Sequence, residues 1–152
     1  MMSYLFLQRF RKSSTAIKWQ WIFLPISTGN TTYGVQNLEY DSYTHAVLMA
    51  VYRGTKPKYQ NYDLFMLDMS VPPKKDRLLG MNETAEILSL KRIGNTENNS
   101  GIYGWHFPYG ATGLYSFGNG EWLISENQNT ADGQCAYIRK YIWDAIHPFI
   151  RK

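Results

Sequence analysis

Two acidic residues stand close together in the segment VQNLEYD, where Glu39 and Asp41 are separated by one position. Side chains at alternate positions of a strand share a face, about 7 Å apart at a rise of about 3.3 Å per residue. Carboxyl groups roughly 5 to 9.5 Å apart serve as acid and base in glycoside hydrolysis. The pair is therefore a candidate catalytic site. The same residues also suit a turn-capping Asp41 and a solvated Glu39.

A second candidate is the aromatic loop GIYGWHFPYG, residues 101–110. Flat aromatic side chains next to polar groups suit stacking on a sugar ring or enclosure of a cation. His106 is also the best acid–base candidate among the histidines. The residues that we predict to contact a ligand are Tyr103, Trp105, His106, Tyr109 and Glu126. The alternative is that the loop plugs the hydrophobic core.

Other chemistry has little support in the sequence. The chain has one cysteine and no H-x-x-x-H or EF-hand pattern, so we expect no metal site. It has no phosphate-binding glycine loop and no G-x-S-x-G motif, so we expect no cofactor. The net charge is +4, and the basic segment RGTKPKYQN has few aromatic residues, so nucleic acid is not an expected partner.

The elements that must position these residues are predicted to be strands. The chain has 152 residues, of which 16% are aromatic, which favours one all-β domain. Strands are predicted at 4–10, 19–24 (ended by Pro25), 35–41, 46–52, 62–69 and 135–143. Residues 86–93 suit a strand or a short helix. TGLYSF and EWLISE, joined by Gly118-Asn119-Gly120, predict a hairpin. NQNTADGQ is predicted to be a loop, and DAIHPFIRK suggests a helical turn limited by Pro148.

The strongest strands are apolar at every position rather than at alternate ones. AVLMAVY and LFML have no polar face, whereas a sheet with one wet face would alternate. We therefore expect both faces of these strands to be covered by neighbouring layers.

Two parts of the chain share an order of features. Each has a Tyr-Gly entry, a short strand, a turn, a second strand, a polar loop and a strand closed by Asp. The corresponding residues are Tyr33 with Tyr109, Gly34 with Gly110, Leu38 with Leu114, Leu48 with Leu123 and Asp68 with Asp144. In this pattern the chain resembles β-propeller repeat proteins. No Asp-box, WD or kelch signature is present, so no subfamily follows.

The resemblance implies antiparallel four-stranded meanders. Residues 33–93 would form a full blade, 109–144 a partial blade and 4–24 the end of a preceding blade. The chain would then hold about two and a half blades, within 1–152 as one all-β domain or partial propeller. A β-sandwich is the alternative. Propellers close with four to eight blades, and incomplete blades expose strand edges, so we expect self-association.

The functional expectation is a binding or scaffold module of propeller type for a carbohydrate or another small polar ligand. A glycosidase-like hydrolase, with Glu39 and Asp41 as acid and base, is one alternative. An inactive fragment of a larger propeller protein is another.

The remaining features concern location. Cys135 is the single cysteine, so an internal disulfide is excluded, and no signal peptide is recognisable. Both favour the cytoplasm. No apolar run is long enough to predict a membrane span.

Overall fold

Strands account for all the regular secondary structure that is described. The computed structural model describes residues 2–13, 16–28, 31–57, 59–78, 82–96 and 101–152. Within these ranges the predicted all-β class is confirmed. The strands are β1 (Met2–Ser13), β2 (Ala16–Ser27), β3 (Thr31–Asp41), β4 (Ala46–Arg53), β5 (Leu64–Asp68), β6 (Lys74–Arg77), β7 (Thr84–Ile87), β8 (Asn95–Thr96), β9 (Tyr103–Gly104), β10 (Leu114–Ser116), β11 (Glu121–Thr130), β12 (Gly133–Trp143) and β13 (Phe149–Arg151).

The strands form several small antiparallel sheets. The central sheet has the order β3-β4-β5, and the C-terminal sheet has the order β10-β11-β12-β13. The pairs β1-β2, β6-β7 and β8-β9 form two-stranded ladders. Among the described strands, none of these sheets closes into a barrel.

One face of the central sheet packs against the C-terminal sheet. Leu48 on β4 and Met66 on β5 lie in this layer with Trp122, Ile124 and Tyr141 of the C-terminal sheet. The ring of Phe149 contacts those of Trp122 at 5.3 Å and Trp143 at 5.5 Å. Each buried side chain of this size contributes about 1.5 to 3 kcal/mol, so this layer is a main source of stability.

The other face of the central sheet is covered as well. Met49 and Phe65 are fully buried there, in a second cluster that includes Ile26 and Leu88. The prediction that the unbroken apolar runs are shielded on both faces is therefore confirmed for residues 46–51 and 64–67.

The outer edge of β5 is covered by two short segments. Asp68 N donates to Ser89 O at 2.9 Å, and Lys91 N donates to Met66 O at 2.8 Å. Further along the edge, Trp105 N donates to Leu64 O at 2.9 Å. The central sheet within the unit predicted at 33–93 thus has three strands, with these two segments along its edge in place of a fourth, while β6 and β7 of the same range form a separate ladder. Its identity as a propeller blade stays a prediction.

Pro25 does not end β2, contrary to the sequence-based expectation. It pairs with Tyr4 inside the β1-β2 ladder, and its carbonyl oxygen accepts a hydrogen bond from Leu88 N at 3.1 Å. The N–H and C=O of one strand residue point to the same side. The N–H that proline lacks would therefore point away from β1, so its absence removes no bond from the ladder.

Two predictions near the C-terminal end were wrong. NQNTADGQ is not a loop, because β11 and β12 continue through it and pair from Glu121↔Ile142 to Thr130↔Gly133. The outer part of this hairpin, residues 126–138, is called the arm below. DAIHPFIRK forms bends and then β13 instead of a helical turn. Pro148 cannot donate a helical hydrogen bond, and Phe149 is drawn into the core.

Candidate functional site

The predicted acidic pair lies between the two large sheets. Glu39 Oε1 accepts a hydrogen bond from Ser116 N at 3.0 Å, and Asp41 Oδ1 accepts one from the Ser116 hydroxyl. Asn37 Nδ2 donates to Gly110 O at 3.2 Å. The prediction that Glu39 and Asp41 share one face is confirmed. We call this line of contacts between β3 and the segment 110–118 the seam.

Both carboxylates of the seam have structural partners. Asp41 is completely buried, and its Oδ2 accepts hydrogen bonds from Thr44 N at 2.9 Å and Thr44 Oγ1 at 2.7 Å. It therefore caps the turn after β3, which was the alternative to a catalytic role. Glu39 is half-buried rather than fully solvated. β3 and β10 are edge strands of their sheets. Across the seam, the Glu39 carboxylate on β3 therefore accepts a hydrogen bond from an edge N–H of β10, that of Ser116.

The aromatic loop is divided between the core and the surface. Trp105 is 1% exposed and Phe107 is 8% exposed, and both belong to the layer between the two sheets. Trp105 packs edge-on against Trp143 with ring centroids 5.6 Å apart. These two residues therefore form the hydrophobic plug, and Trp105 has no ring face available for stacking on a ligand.

The other residues of the loop are more accessible. His106 is exposed, with its ring centroid 5.2 Å from that of Tyr62, and Tyr103 is half-buried on β9. Tyr109 is half-buried, packs edge-on against Phe107 at 5.6 Å and lines a cavity described below. The structure therefore does not bring the predicted ligand set together on one surface.

Glu126 is buried on the face of β11 that points into the protein. Its Oε1 accepts a hydrogen bond from the Tyr141 hydroxyl at 2.6 Å, and Arg151 Nε lies 3.8 Å away. Burial and the bond to Glu126 raise the pKa of Tyr141, so its hydroxyl remains a donor. Glu126 does not line either of the cavities described next.

A cleft of two adjoining lobes lies beside the arm. The larger lobe has a volume of about 560 Å³ and the smaller one about 250 Å³. Both are lined by Tyr52, Thr112, Ser125 and Asn127. The rest of the larger lobe is formed by Gln128, Asn129, Gln134, Cys135, Ala136 and Ile138.

Strand alternation explains why the larger lobe is polar. Ser125, Asn127 and Asn129 occupy alternate positions of β11, and their partners on β12 are Ile138, Ala136 and Gln134. These residues share the face of the arm opposite to that of Glu126. The cleft therefore has an amide-rich wall with a small apolar patch at Ala136 and Ile138.

A loop before β10 fixes this wall in place. Ser125 N donates to Gly113 O at 3.0 Å, and Gly110 N donates to Ser125 O at 3.1 Å. The Thr112 hydroxyl lies 2.5 Å from Ser125 Oγ and donates to Asn127 Oδ1 at 2.9 Å. The position of Asn127 is thus set by partners within the cleft.

The smaller lobe contains the charged groups of the cleft, Arg53 and Asp63. The Asp63 side chain is buried and accepts a hydrogen bond from Phe107 N. Burial raises the pKa of the Asp63 carboxyl, against the opposing effects of the bond from Phe107 N and of the His106 and Arg53 charges. The carboxyl thus ties the aromatic loop to the start of β5.

Most residues of the cleft were missed from the sequence, Tyr109 being the exception. The polarity of NQNTADGQ predicts a loop, although β-hairpins also place polar residues on exposed faces. The available signal was the Asp132-Gly133 pair, a dipeptide typical of tight hairpin turns.

No protein-family model, curated protein or solved structure matches the chain. Within the described ranges, no group of three or more His, Cys, Asp or Glu residues could hold a metal ion. The same part of the chain contains no helix that could span a membrane.

Proposed function

We propose that this chain is a binding module for a neutral polyhydroxylated ligand, foremost a carbohydrate, held in the cleft beside the arm. The observation that carries the proposal is the lining of the larger lobe. Among its described residues there are amides and hydroxyls but no Asp, Glu, Lys, Arg or His. Such a surface offers hydrogen bonds without attracting charge.

Amide side chains suit sugar hydroxyls in particular. Asn and Gln each present two donors and an acceptor, and a hydroxyl also both donates and accepts. Asn127, Asn129 and Gln134 therefore match a row of hydroxyls in either orientation. Tyr52 is 45% exposed beside this row and offers an aromatic face for the apolar side of a sugar ring.

Anionic ligands fit the larger lobe less well. Phosphates and carboxylates are bound mainly by Arg and Lys, and the nearest such residue lining the cleft is Arg53 in the smaller lobe. Arg53 shares that lobe with Asp63, whose carboxylate offsets its charge. A neutral ligand is therefore favoured.

The arrangement of carboxyl groups favours binding over hydrolysis. Glycoside hydrolysis by two carboxyl groups requires them about 5 to 9.5 Å apart on either side of the bond. Asp63 is the one carboxyl residue among the described residues lining the cleft. Glu39 and Asp41, the predicted acid and base, line neither lobe and are bonded to Ser116 in the seam.

We retain the propeller resemblance as part of the proposal. Gly34 and Gly110, which correspond in the two parts of the chain, both have positive φ, of 76° and 88°. Asp68 and Asp144 both accept a hydrogen bond from the N–H two residues later, at 3.0 and 2.8 Å. These matching details support two copies of one unit.

The proposal is tested by screening the purified chain on a glycan array and titrating hits by calorimetry. Asn129→Ala and Gln134→Ala should each weaken binding about fivefold to tenfold, because a hydrogen bond contributes about 1 kcal/mol. Asn95→Ala is the matched control, because Asn95 is an exposed amide on β8, outside the cleft.

Three results would contradict the proposal: no glycan binding, binding insensitive to both variants, or a consistent preference for anionic ligands. Release of sugar from a bound glycan would support the hydrolase alternative instead.

A further inference from the structure

The arm presents an open strand edge. β13 pairs with β12 only at Tyr141–Trp143, and Lys152 N donates to Lys140 O at 3.0 Å. Even-numbered residues of β12 therefore direct their backbone groups toward the β13 side, because this direction alternates along a strand. Gln134, Ala136 and Ile138 direct theirs to the same side. Among the described strands, β12 is bordered by β11 and β13 alone.

The edges of β3, β5 and β10 are protected, whereas residues 127–130 of β11 have ladder partners only in β12 within the described part of the chain. The edge of β5 is covered by residues 89–91 and Trp105, and the edges of β3 and β10 meet at the seam. β13 is short, and the basic residues Arg151 at its end and Lys152 after it discourage pairing.

The edge at 134–138 has neither charge nor proline. Two large side chains on it are also accessible, since Tyr137 is 40% exposed and Ile138 is 62% exposed. An uncharged, regular and exposed edge is a template for another strand.

We propose that a second copy of this chain docks on this edge, with β12 pairing antiparallel to its own counterpart around a two-fold axis at Ala136. Ala136 then faces Ala136, Gln134 faces Ile138, and Gly133 faces Arg139. The β10–β13 sheets of the two copies become one continuous sheet.

The geometry selects this register. In an antiparallel pair, the hydrogen-bonded residues direct their N–H and C=O groups toward the partner strand. At the free edge of β12, only even-numbered residues do so. The partner strand must also stop where β13 begins. Centring the pair on Ala136 uses the whole free length from Gly133 to Arg139 and leaves β13 in place.

Charge complementarity favours a second copy as the occupant. In this register the turn that carries Asp132 of each copy lies beside the end of β13 of the other. Lys140 and Lys152 there share one partner, Glu121, at 2.8 and 3.0 Å. The three side chains carry a surplus positive charge, which Asp132 of the second copy offsets.

The dimer is tested by sedimentation over a concentration series of the full chain. Ala136→Pro removes an outward N–H without touching the β11-β12 ladder, so it should raise the dimer Kd at least about tenfold, since two symmetric hydrogen bonds are lost. Asn129→Pro is the matched control on the opposite edge of the arm, at an outward-directed position of β11. It should leave the dimer intact. Circular dichroism confirms that both variants are folded.

Disulfide trapping tests the register in a Cys135→Ser background. Facing residues in a hydrogen-bonded antiparallel pair have Cα atoms about 5.5 Å apart, within the range that a disulfide can bridge. Oxidation should therefore link Ala136→Cys to its own copy, but not Gln134→Cys, which faces Ile138.

The proposal is overturned if the chain is monomeric at every concentration. It is equally overturned by a dimer that Ala136→Pro does not weaken, or by Gln134→Cys cross-linking more readily than Ala136→Cys. Capture of an extended peptide by a monomeric chain would assign the edge to a different partner. None of these measurements depends on the carbohydrate proposal.

Discussion

Asp63 joins three parts of the fold through a single residue. Its carboxylate accepts a hydrogen bond from Phe107 N, its own N–H donates to Trp105 O at 3.1 Å, and its carbonyl accepts from Val51 N at 2.9 Å. In the sequence it is only a polar residue before LFML, and nothing distinguishes it from a surface Asp. Its role depends on the aromatic loop folding back onto β5, which local sequence does not encode.

Substitutions at Asp63 distinguish two contributions to the free energy of unfolding: the destabilisation from its buried charge and the stabilisation from its hydrogen bond. Because burial raises its folded pKa above the unfolded value, its protonation favours the folded state. This contribution is fully present below the unfolded pKa and is lost as the pH rises through the folded pKa. Asp63→Asn, which keeps the acceptor, should therefore increase the free energy of unfolding at pH 7, and the gain should shrink on acidification toward pH 4.

Asp63→Ala is the matched comparison for that experiment. It leaves Phe107 N buried without its acceptor and should lower the free energy of unfolding by about 1 to 3 kcal/mol. Urea unfolding across a pH series measures both variants. Equal destabilisation by Asn and Ala would show that the hydrogen bond is not the interaction that matters.

The aromatic loop shows how far residue types alone can be interpreted. Tyr, Trp, His and Phe between glycines suit either a ligand surface or a plug, and the sequence left both open. The choice is made by burial, because Trp105 is enclosed between Leu64, Trp143 and the neighbouring strands. Composition predicts that such residues cluster but not which of their faces remain exposed.

At the level of elements, hydrophobic patterning located the buried strands and most of β12, predicted at 135–143, but missed the exposed turn end of the β11-β12 hairpin. β4 and β5 are apolar throughout and were placed to within a few residues. Residues 127–134, at the turn end of β11 and β12, are mostly polar and all exposed, and their ladder is maintained by backbone hydrogen bonds. The polar sequence of this segment reflects its exposure to solvent and does not indicate that a strand is absent.

The seam gives a prediction at the same level. Asp41→Ala removes the acceptor for Thr44 and for the Ser116 hydroxyl, and should lower the free energy of unfolding by about 3 kcal/mol. Ser116→Ala should cost about 1 kcal/mol. The double variant should cost less than their sum, because the two share one hydrogen bond. Denaturant unfolding of the unmodified protein, the two single variants and the double variant measures this double-mutant cycle.

Glu39→Gln is the control for the seam. The amide retains an oxygen that can accept from Ser116 N, so the change should remain within about 0.5 kcal/mol. Strict additivity of Asp41→Ala and Ser116→Ala would argue against a working contact across the seam.

For the whole molecule, the most reliable inference from sequence was the layering. Strands that are apolar at every position require packed layers on both faces, and the central sheet has a hydrophobic cluster on each face. How the sheets connect into a larger architecture is not encoded in that pattern, since a sandwich and a stack of blades impose the same requirement. The propeller resemblance accordingly stays a prediction.

Paired truncations on the central sheet test the layering. Leu48 is fully buried, and Leu48→Ala should lower the free energy of unfolding by about 2 to 5 kcal/mol. Leu38 on neighbouring β3 is 36% exposed. Leu38→Ala should therefore change the free energy of unfolding by only about 0.5 kcal/mol. Similar losses of stability for both variants, measured by thermal and urea unfolding, would contradict the enclosure of residues 46–51 of β4.

The seam also has a consequence for the order of folding. Its contacts join residues 73 to 77 positions apart, so closing them confines a long stretch of chain. Nearby hairpins such as β11-β12 need no such closure and form on a shorter timescale. The seam is therefore expected to assemble after the rate-limiting barrier. Its hydrogen bonds then chiefly lower the unfolding rate and have little effect on the folding rate, so they determine the lifetime of the native state.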